Sequence, residues 1–232
     1  MTCVAGQTQR GKFITFEGLD GCGKSTQLEK LANALRQQGV RVVTTREPGG
    51  TVIGERIRAL LLDSRTRGLD ANAEMALMVA SRAQLVGEVI HPALKAGEWV
   101  LCDRFVDSTE AYQGAGRQLG SEPVLQLHRL LCRDLWPELT ILMDSDVSAS
   151  VQRARVRNRL AGTGHDENRF ERESRAFFER VHNGFLEIAR REPQRVVMLD
   201  ARPPIAIVHE EILSVVKERL GLAMSESMPV RE

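Results

Sequence analysis

The chain has 232 residues, 42% hydrophobic and 27% charged, enough for one domain with a substantial core. A net charge of +1 provides no overall field for DNA or an anionic membrane, so any basic site must be local. The four cysteines (Cys3, Cys22, Cys102 and Cys132) lack C-x-x-C spacing, and no apolar run reaches the ~18 residues that a membrane span needs. A signal-type leader is also missing, so the expectation is a protein of the reducing cytoplasm with no zinc site, disulfide framework, nucleic-acid partner or membrane partner.

Residues 1–11 read as a loose leader. A strand at about Lys12–Glu17 then runs into Gly18-Leu19-Asp20-Gly21-Cys22-Gly23-Lys24-Ser25-Thr26, followed by an amphipathic helix that stops near Gly39. Strand, glycine turn and helix in this order are the context a P-loop requires. The glycines let the backbone approach a phosphate, and the loop amides and helix N-terminus turn their positive ends toward the anion. Lys24 adds a point charge for the β- and γ-phosphates, and the Ser25 hydroxyl is placed for Mg²⁺. The stretch predicts binding of a nucleoside triphosphate.

Val40–Thr45 reads as the second strand, and Arg46-Glu47-Pro48-Gly49-Gly50-Thr51 as a loop that neither helix nor strand can cross. Val52–Leu62 has helical spacing, and Ala71–Ala96 is a long helical stretch interrupted or bent near Pro92. Glu98–Cys102 is the third strand, with an informative loop, Asp103–Gln113, after it. Helix Ser121–Leu131 and strand Glu138–Met143 come next, then a basic helix, Val147–Leu160, and a polar turn. Asn168–Arg190 reads as one helix, Arg195–Leu199 as the fifth strand and Pro204–Leu220 as the closing helix, with residues 221–232 a frayed tail.

Strands alternating with helices predict an α/β fold, a five-stranded parallel sheet covered on both faces. Ligands in such folds gather at the carboxyl ends of the strands, where the informative loops fall. There is no Asn-Lys-x-Asp stretch of GTPase type and no Leu-Ser-Gly-Gly-Gln run of transporter type. A short chain with a polar turn between charged helices suits a small kinase. Such an enzyme needs cations on the donor and acceptor sides and a mobile cover against water. Asp103 ends a buried strand and is placed for the Mg²⁺ shell, while Arg104 can fork onto an acceptor phosphate.

The run Leu101-Cys102-Asp103-Arg104-Phe105-x-x-Ser108-Thr109-x-Ala111-Tyr112-Gln113 resembles the signature of thymidylate kinases. Arg46–Thr51, Ala80-Ser81-Arg82-Ala83-Gln84 and Ala111–Arg117 resemble the same family, and the similarity runs from about Lys12 to Leu220. The resemblance implies a P-loop fold of the nucleoside-monophosphate-kinase type with a lid at about 153–168. It also implies transfer of the ATP γ-phosphate to dTMP with Mg²⁺, and a homodimer. On it, Asp20 would bind the sugar 3′-hydroxyl or help hold Mg²⁺ with Ser25 and Asp103. Arg104 would bind the dTMP phosphate with Glu47 and Arg46 nearby, and Arg82 would meet thymine O4. Ser108 and Gln113 would reach base or phosphate, and Tyr112 would pack on the sugar and leave no room for a 2′-hydroxyl.

Each residue also has a plainer reading: Arg46 and Glu47 as a surface ion pair, Arg82 on a solvated face, Tyr112 as a core ring. Where some members of the family carry a P-loop arginine this chain has Gly21, so the donor-side cation is expected from the lid, with Arg157 first and Arg153 second. Where the family places a stacking phenylalanine, four residues before Arg82, this chain has Met78. A thioether can pack on a base but gives up aromatic stacking, so dTMP binding is expected to be weaker or less selective. The apolar stretch Ala73, Met75–Ala80 and Leu85 is either core or a helix-to-helix dimer contact. A kinase for another nucleotide and a non-catalytic nucleotide-binding module remain the alternatives.

Overall fold

The structure, a computed structural model, describes residues 10–161 and 169–221, and only the backbone for 157–161. The expected leader and tail therefore lie largely outside the described residues, as do residues 162–168 of the expected lid. Arg10 and Gly11, assigned to the leader, are tied to the body: Arg10 pairs with Glu138, and the Gly11 amide donates to the Leu94 carbonyl at 2.9 Å.

Five strands form one parallel sheet: β1 (Phe13–Glu17), β2 (Val42–Arg46), β3 (Trp99–Asp103), β4 (Leu139–Asp144) and β5 (Val196–Asp200), in the order β2-β3-β1-β4-β5. The central strand β1 is wholly buried, and its pleat sends alternate side chains to opposite faces. Ile14 and Phe16 pack against α1 (Lys24–Gln37) and α9 (Ile205–Leu220) through Leu31, Leu35, Ile212 and Val216. Phe13 turns to the other face, where Val79, Leu85 and Ile90 pack, and Glu17 shares that side two pleats on. α8 (Arg175–Arg191) closes the same side through Phe177, Phe178, Val181 and Phe185.

The expected strands and most helices lie where the periodicity puts them, including α2 (Val52–Leu62), and three local differences have physical causes. First, the loop expected at Asp103–Gln113 is helical from Val106: α5 (Val106–Thr109, after the short α4, His91–Lys95) continues as a π-helical turn, Glu110–Gly116. Every residue from Phe105 to Gly114 is buried there, so burial against α8 rather than amphipathic spacing sets the conformation. Second, α3 (Ala71–Leu85) passes into α4 through a π turn, Val86–Ile90, and Pro92 falls in the first turn of α4, where a missing N–H costs little.

Third, the helix expected at Asn168–Arg190 is split. A 3₁₀ turn, Phe170–Arg172, precedes α8, because the Ser174 hydroxyl accepts the Phe177 amide at 3.2 Å and starts a new helix. The remaining helices are α6 (Ser121–Leu131) and α7 (Val147–Ala161).

Candidate active site

The P-loop lies at the carboxyl end of β1, between the ends of β3 and β4. Gly18 (φ 130°) and Gly21 (φ 83°) take backbone conformations that side chains disfavour. A Cβ at Gly18 would also come within 2.5 Å of the Met143 carbonyl, and one at Gly21 within 2.4 Å of the Ser150 carbonyl. The loop is thus wedged between β4 and α7. Lys24 is buried, and its Nζ donates to the Leu19 carbonyl at 2.8 Å and the Gly18 carbonyl at 3.1 Å. The Ser25 hydroxyl donates to Asp103 at 2.5 Å, joining the two groups expected at the metal. Asp20, the third expected there, is held on the other side of the loop by Arg104 Nη2 at 2.8 Å.

Beside the P-loop a cleft opens between α3, α5 with its π turn, and the 3₁₀ turn. All eight residues expected on the acceptor side line it: Asp20, Glu47, Met78, Arg82, Arg104, Ser108, Tyr112 and Gln113. Arg82 is not on a solvated face. It is buried with Glu47, Nε to Oε2 at 2.7 Å, and its Nη2 donates to the Phe105 carbonyl at 3.1 Å and the Thr109 hydroxyl at 2.7 Å. Burial pushes the Glu47 carboxyl up to about 7 against the pull of Arg82, whose guanidinium stays charged. Two buried atoms of this pair, Arg82 Nη1 and Glu47 Oε1, meet no protein partner.

Arg104 sits at the mouth of β3 in the left-handed region (φ 73°), uncommon for a residue with a side chain. Its guanidinium spans the cleft: Nη1 donates to the Ser108 hydroxyl at 2.8 Å, Nη2 to Asp20, and Tyr112 lies beneath it at 5.1 Å. Tyr112 is both a core ring and a cleft wall. It meets Phe170, Phe177 and Phe185 edge-on, while its hydroxyl lies 3.4 Å from Arg104 and 3.5 Å from Asp20. Gln113 donates to Glu74 at 2.8 Å, and Glu74 is gripped by Arg117 and Arg169. Burial opposes charge on Glu74, yet these hydrogen bonds and the Arg169 charge hold its carboxyl below the usual range.

A family model described as thymidylate kinase matches residues 16–212. A thymidylate kinase of Desulfovibrio desulfuricans is 50% identical over 192 residues, covering 83% of this chain and 88% of that protein. The chain belongs to the thymidylate kinase family. A second relative, the thymidylate kinase of Pseudomonas syringae pv. tomato, is 47% identical over 212 residues, covering 91% of this chain and 98% of its own length. The solved thymidylate kinase of Ehrlichia chaffeensis superposes with a TM-score of 0.71 at 35% identity, covering 89% of this chain and 99% of that one. The α/β architecture is that of thymidylate kinases, enzymes that phosphorylate dTMP with ATP to give dTDP.

Of the two lid arginines expected in a thymidylate kinase of this kind, Arg153 is described. Its Nε donates to the Gly21 carbonyl at 2.8 Å, seating the root of α7 on the P-loop. The Arg157 side chain and residues 162–168 lie outside the described residues. Arg46, expected near Arg104, instead pairs with Glu55 at 3.2 Å on the surface, because the last residue of edge strand β2 points outward. The sequence reading missed Arg58, Thr109 and Phe170 on the cleft wall. Helical spacing on α2 could have flagged Arg58, but Phe170 follows a polar turn with no periodic signal.

Proposed function

We propose that this thymidylate kinase works by holding two phosphates and one base edge in fixed register, with no side chain acting as general base. The observation that carries the reading is the convergence of eight residues from distant segments on one cleft, with the Arg82–Glu47 pair in its lining. A guanidinium and a carboxyl in one wall suit a pyrimidine edge that offers a carbonyl beside an N–H, as thymine does with O4 and N3. Arg104 then takes the dTMP phosphate, Ser108 and Gln113 steady phosphate and base, and Tyr112 walls the deoxyribose. Asp20 accepts from the 3′-hydroxyl. Met78 supplies the apolar face against the ring in place of an aromatic.

On the donor side the P-loop amides from Gly18 to Thr26, including Leu19, Cys22 and Gly23, cradle ATP, and Lys24 leaves its carbonyls for phosphate oxygens. Ser25 and Asp103 present hard oxygens at the foot of the loop and fit Mg²⁺, which neutralises charge on the transferring phosphoryl group when bound. Arg153 and Arg157 supply lid charge in place of a P-loop arginine. The attacking dTMP oxygen is already ionised at neutral pH, so alignment and charge neutralisation carry the transfer.

Two further readings accompany this one. Val79 and Leu85 of the apolar α3 stretch belong to the chain's own core, but Ala73, Ala76 and Ala80 are exposed beside Val52, Ile53 and Leu60 of α2, a surface suited to a homodimer. No helix among the described residues is long and apolar enough to cross a membrane, and a cytoplasmic location accords with the enzyme's substrates.

A coupled ADP-release assay with MgATP against dTMP, dUMP, UMP, dCMP and thymidine tests the reading. Turnover of dTMP well above the rest is expected. Faster turnover of dCMP or a ribonucleotide would overturn the assignments of Arg82, Glu47 and Tyr112.

A further inference from the structure

Glu17 ends β1 with its side chain wholly buried, on the pleat face that looks toward α5. Among the described residues no arginine or lysine pairs directly with its carboxyl. Its two oxygens are spoken for by neutral donors: the Phe105 amide reaches Oε1 at 2.7 Å, and the Ser108 hydroxyl reaches Oε2 at 2.5 Å. A buried carboxyl group held only this way is expensive in a fold, since ionisation there is opposed by loss of water. Its neighbours show what it secures. Phe105 is the residue that follows left-handed Arg104, and Ser108 is the residue whose oxygen accepts Arg104 Nη1 at 2.8 Å. One carboxyl therefore fixes Arg104 twice, through the backbone after its unusual φ and through the hydroxyl under its guanidinium.

We infer that Glu17 is a positioning residue for the acceptor phosphate, acting through Ser108 and the Phe105 amide to hold Arg104 in its left-handed, cleft-spanning pose. The inference rests on the assignment of Arg104 to the dTMP phosphate. A guanidinium displaced by even an ångström loses its bidentate fit to a phosphate, while Arg82 at the base edge keeps its own anchors in Glu47 and Thr109. The signature of Glu17 is thus a loss confined to ligands that carry the phosphate.

The test compares dTMP, as substrate, with thymidine, which lacks the phosphate, as a competitive inhibitor of Glu17→Gln, Glu17→Asp, Ser108→Ala and Arg104→Ala. Glu17→Gln keeps the shape and one acceptor oxygen. It is expected to raise the dTMP KM about tenfold, with the ATP KM and the thymidine Ki within about twofold of wild type. Glu17→Asp restores part of the loss if the carboxylate reaches Ser108. Glu17→Gln combined with Ser108→Ala should cost less than the sum of the two, because both cut one link.

Equal weakening of dTMP and thymidine in Glu17→Gln would show a general structural role and overturn the inference, as would an unchanged dTMP KM. If Glu17→Gln fails to fold, Glu17→Asp decides: a raised dTMP KM with the thymidine Ki retained supports the link, and parallel loss refutes it. If Arg104→Ala itself leaves the dTMP-to-thymidine ratio unchanged, the assignment of Arg104 fails, a result distinct from failure of the Glu17 link.

Discussion

Arg82 and Glu47 meet at 2.7 Å with side chains 2% and 4% exposed, a charged pair almost wholly out of water at the wall of the acceptor cleft. Removing one partner of such a pair strands the other, at a cost of about 3–5 kcal/mol. Glu47→Ala is therefore expected to lower stability by that amount in urea unfolding and to raise the dTMP KM, because the guanidinium loses its anchor. An unchanged midpoint with unchanged KM would mean that Phe105 and Thr109 alone hold Arg82.

Met78 is half-buried beside Phe170 and Leu62 on the cleft wall. Aromatic stacking on a base is worth about 1–3 kcal/mol elsewhere, so Met78→Phe should lower the dTMP KM by roughly fivefold or more. Steady-state kinetics with dTMP and dUMP read the result. If the KM stays where it is, the thioether face already supplies the contact and the expected weakness of base binding is wrong.

Lys24→Ala and Arg104→Ala each remove a fixed charge from one side of the transferring phosphoryl group. Losses of about a hundredfold or more in kcat/KM are expected for both, by analogy with deletion of single preorganised donors. A loss of only a few fold in either would sink its role.

Gly184 of α8 lies so close to the π turn that a Cβ there would fall 2.8 Å from Ala115 Cβ, and a Cβ at Gly116 would fall 2.7 Å from the Phe177 ring. Gly184→Ala should destabilise the protein by about 1–3 kcal/mol by overpacking. Because Tyr112 and Gln113 ride on that turn, the dTMP KM should rise as well, whereas the ATP KM should not. A thermal melt paired with the two KM values checks both parts.

His128 is fully buried on α6, bonded through Nε2 to the Leu135 carbonyl at 2.8 Å, and loss of water pulls its pKa from 6.5 down to about 4. Between those values the unfolded chain binds the proton and the native chain does not. The contribution of this residue is therefore complete above pH ~6.5 and lost as the pH falls toward 4, roughly 3 kcal/mol across the window. Urea unfolding from pH 7.5 to 4.5 should show a shallower decline in His128→Gln than in wild type. Equal slopes would place the acid sensitivity elsewhere.

The strands and the donor side of the site were legible in the chain because each rests on local rules. Glycine at 18, 21 and 23 is dictated by backbone geometry, and the alternation in Phe13–Glu17 by the pleat. Of the acceptor residues only Arg104 was read from its place after a strand; the others were found through resemblance to a family, since nothing in the spacing of Arg82 distinguishes a buried guanidinium from a solvated one. Burial of that residue depends on Glu47, 35 positions away, and on Thr109, 27 positions away. The helix at Val106–Gly116 escaped because its residues are buried on all sides, which erases the amphipathic signal. Glu17 was placed correctly at the end of the expected strand, but nothing local distinguishes a buried strand-end carboxyl from a solvated one.

The grip of Gly18 and Leu19 carbonyls on Lys24 bears on how easily the enzyme resets between cycles. An ammonium free in solvent would have to shed tightly held water before meeting a nucleotide, and would regain it only after release. On the proposed role, the Nζ would exchange one set of oxygens for another a short distance away, with little net change in solvation either way. On the role proposed for Lys24, arrival and departure of the nucleotide then carry little change in hydration at this residue.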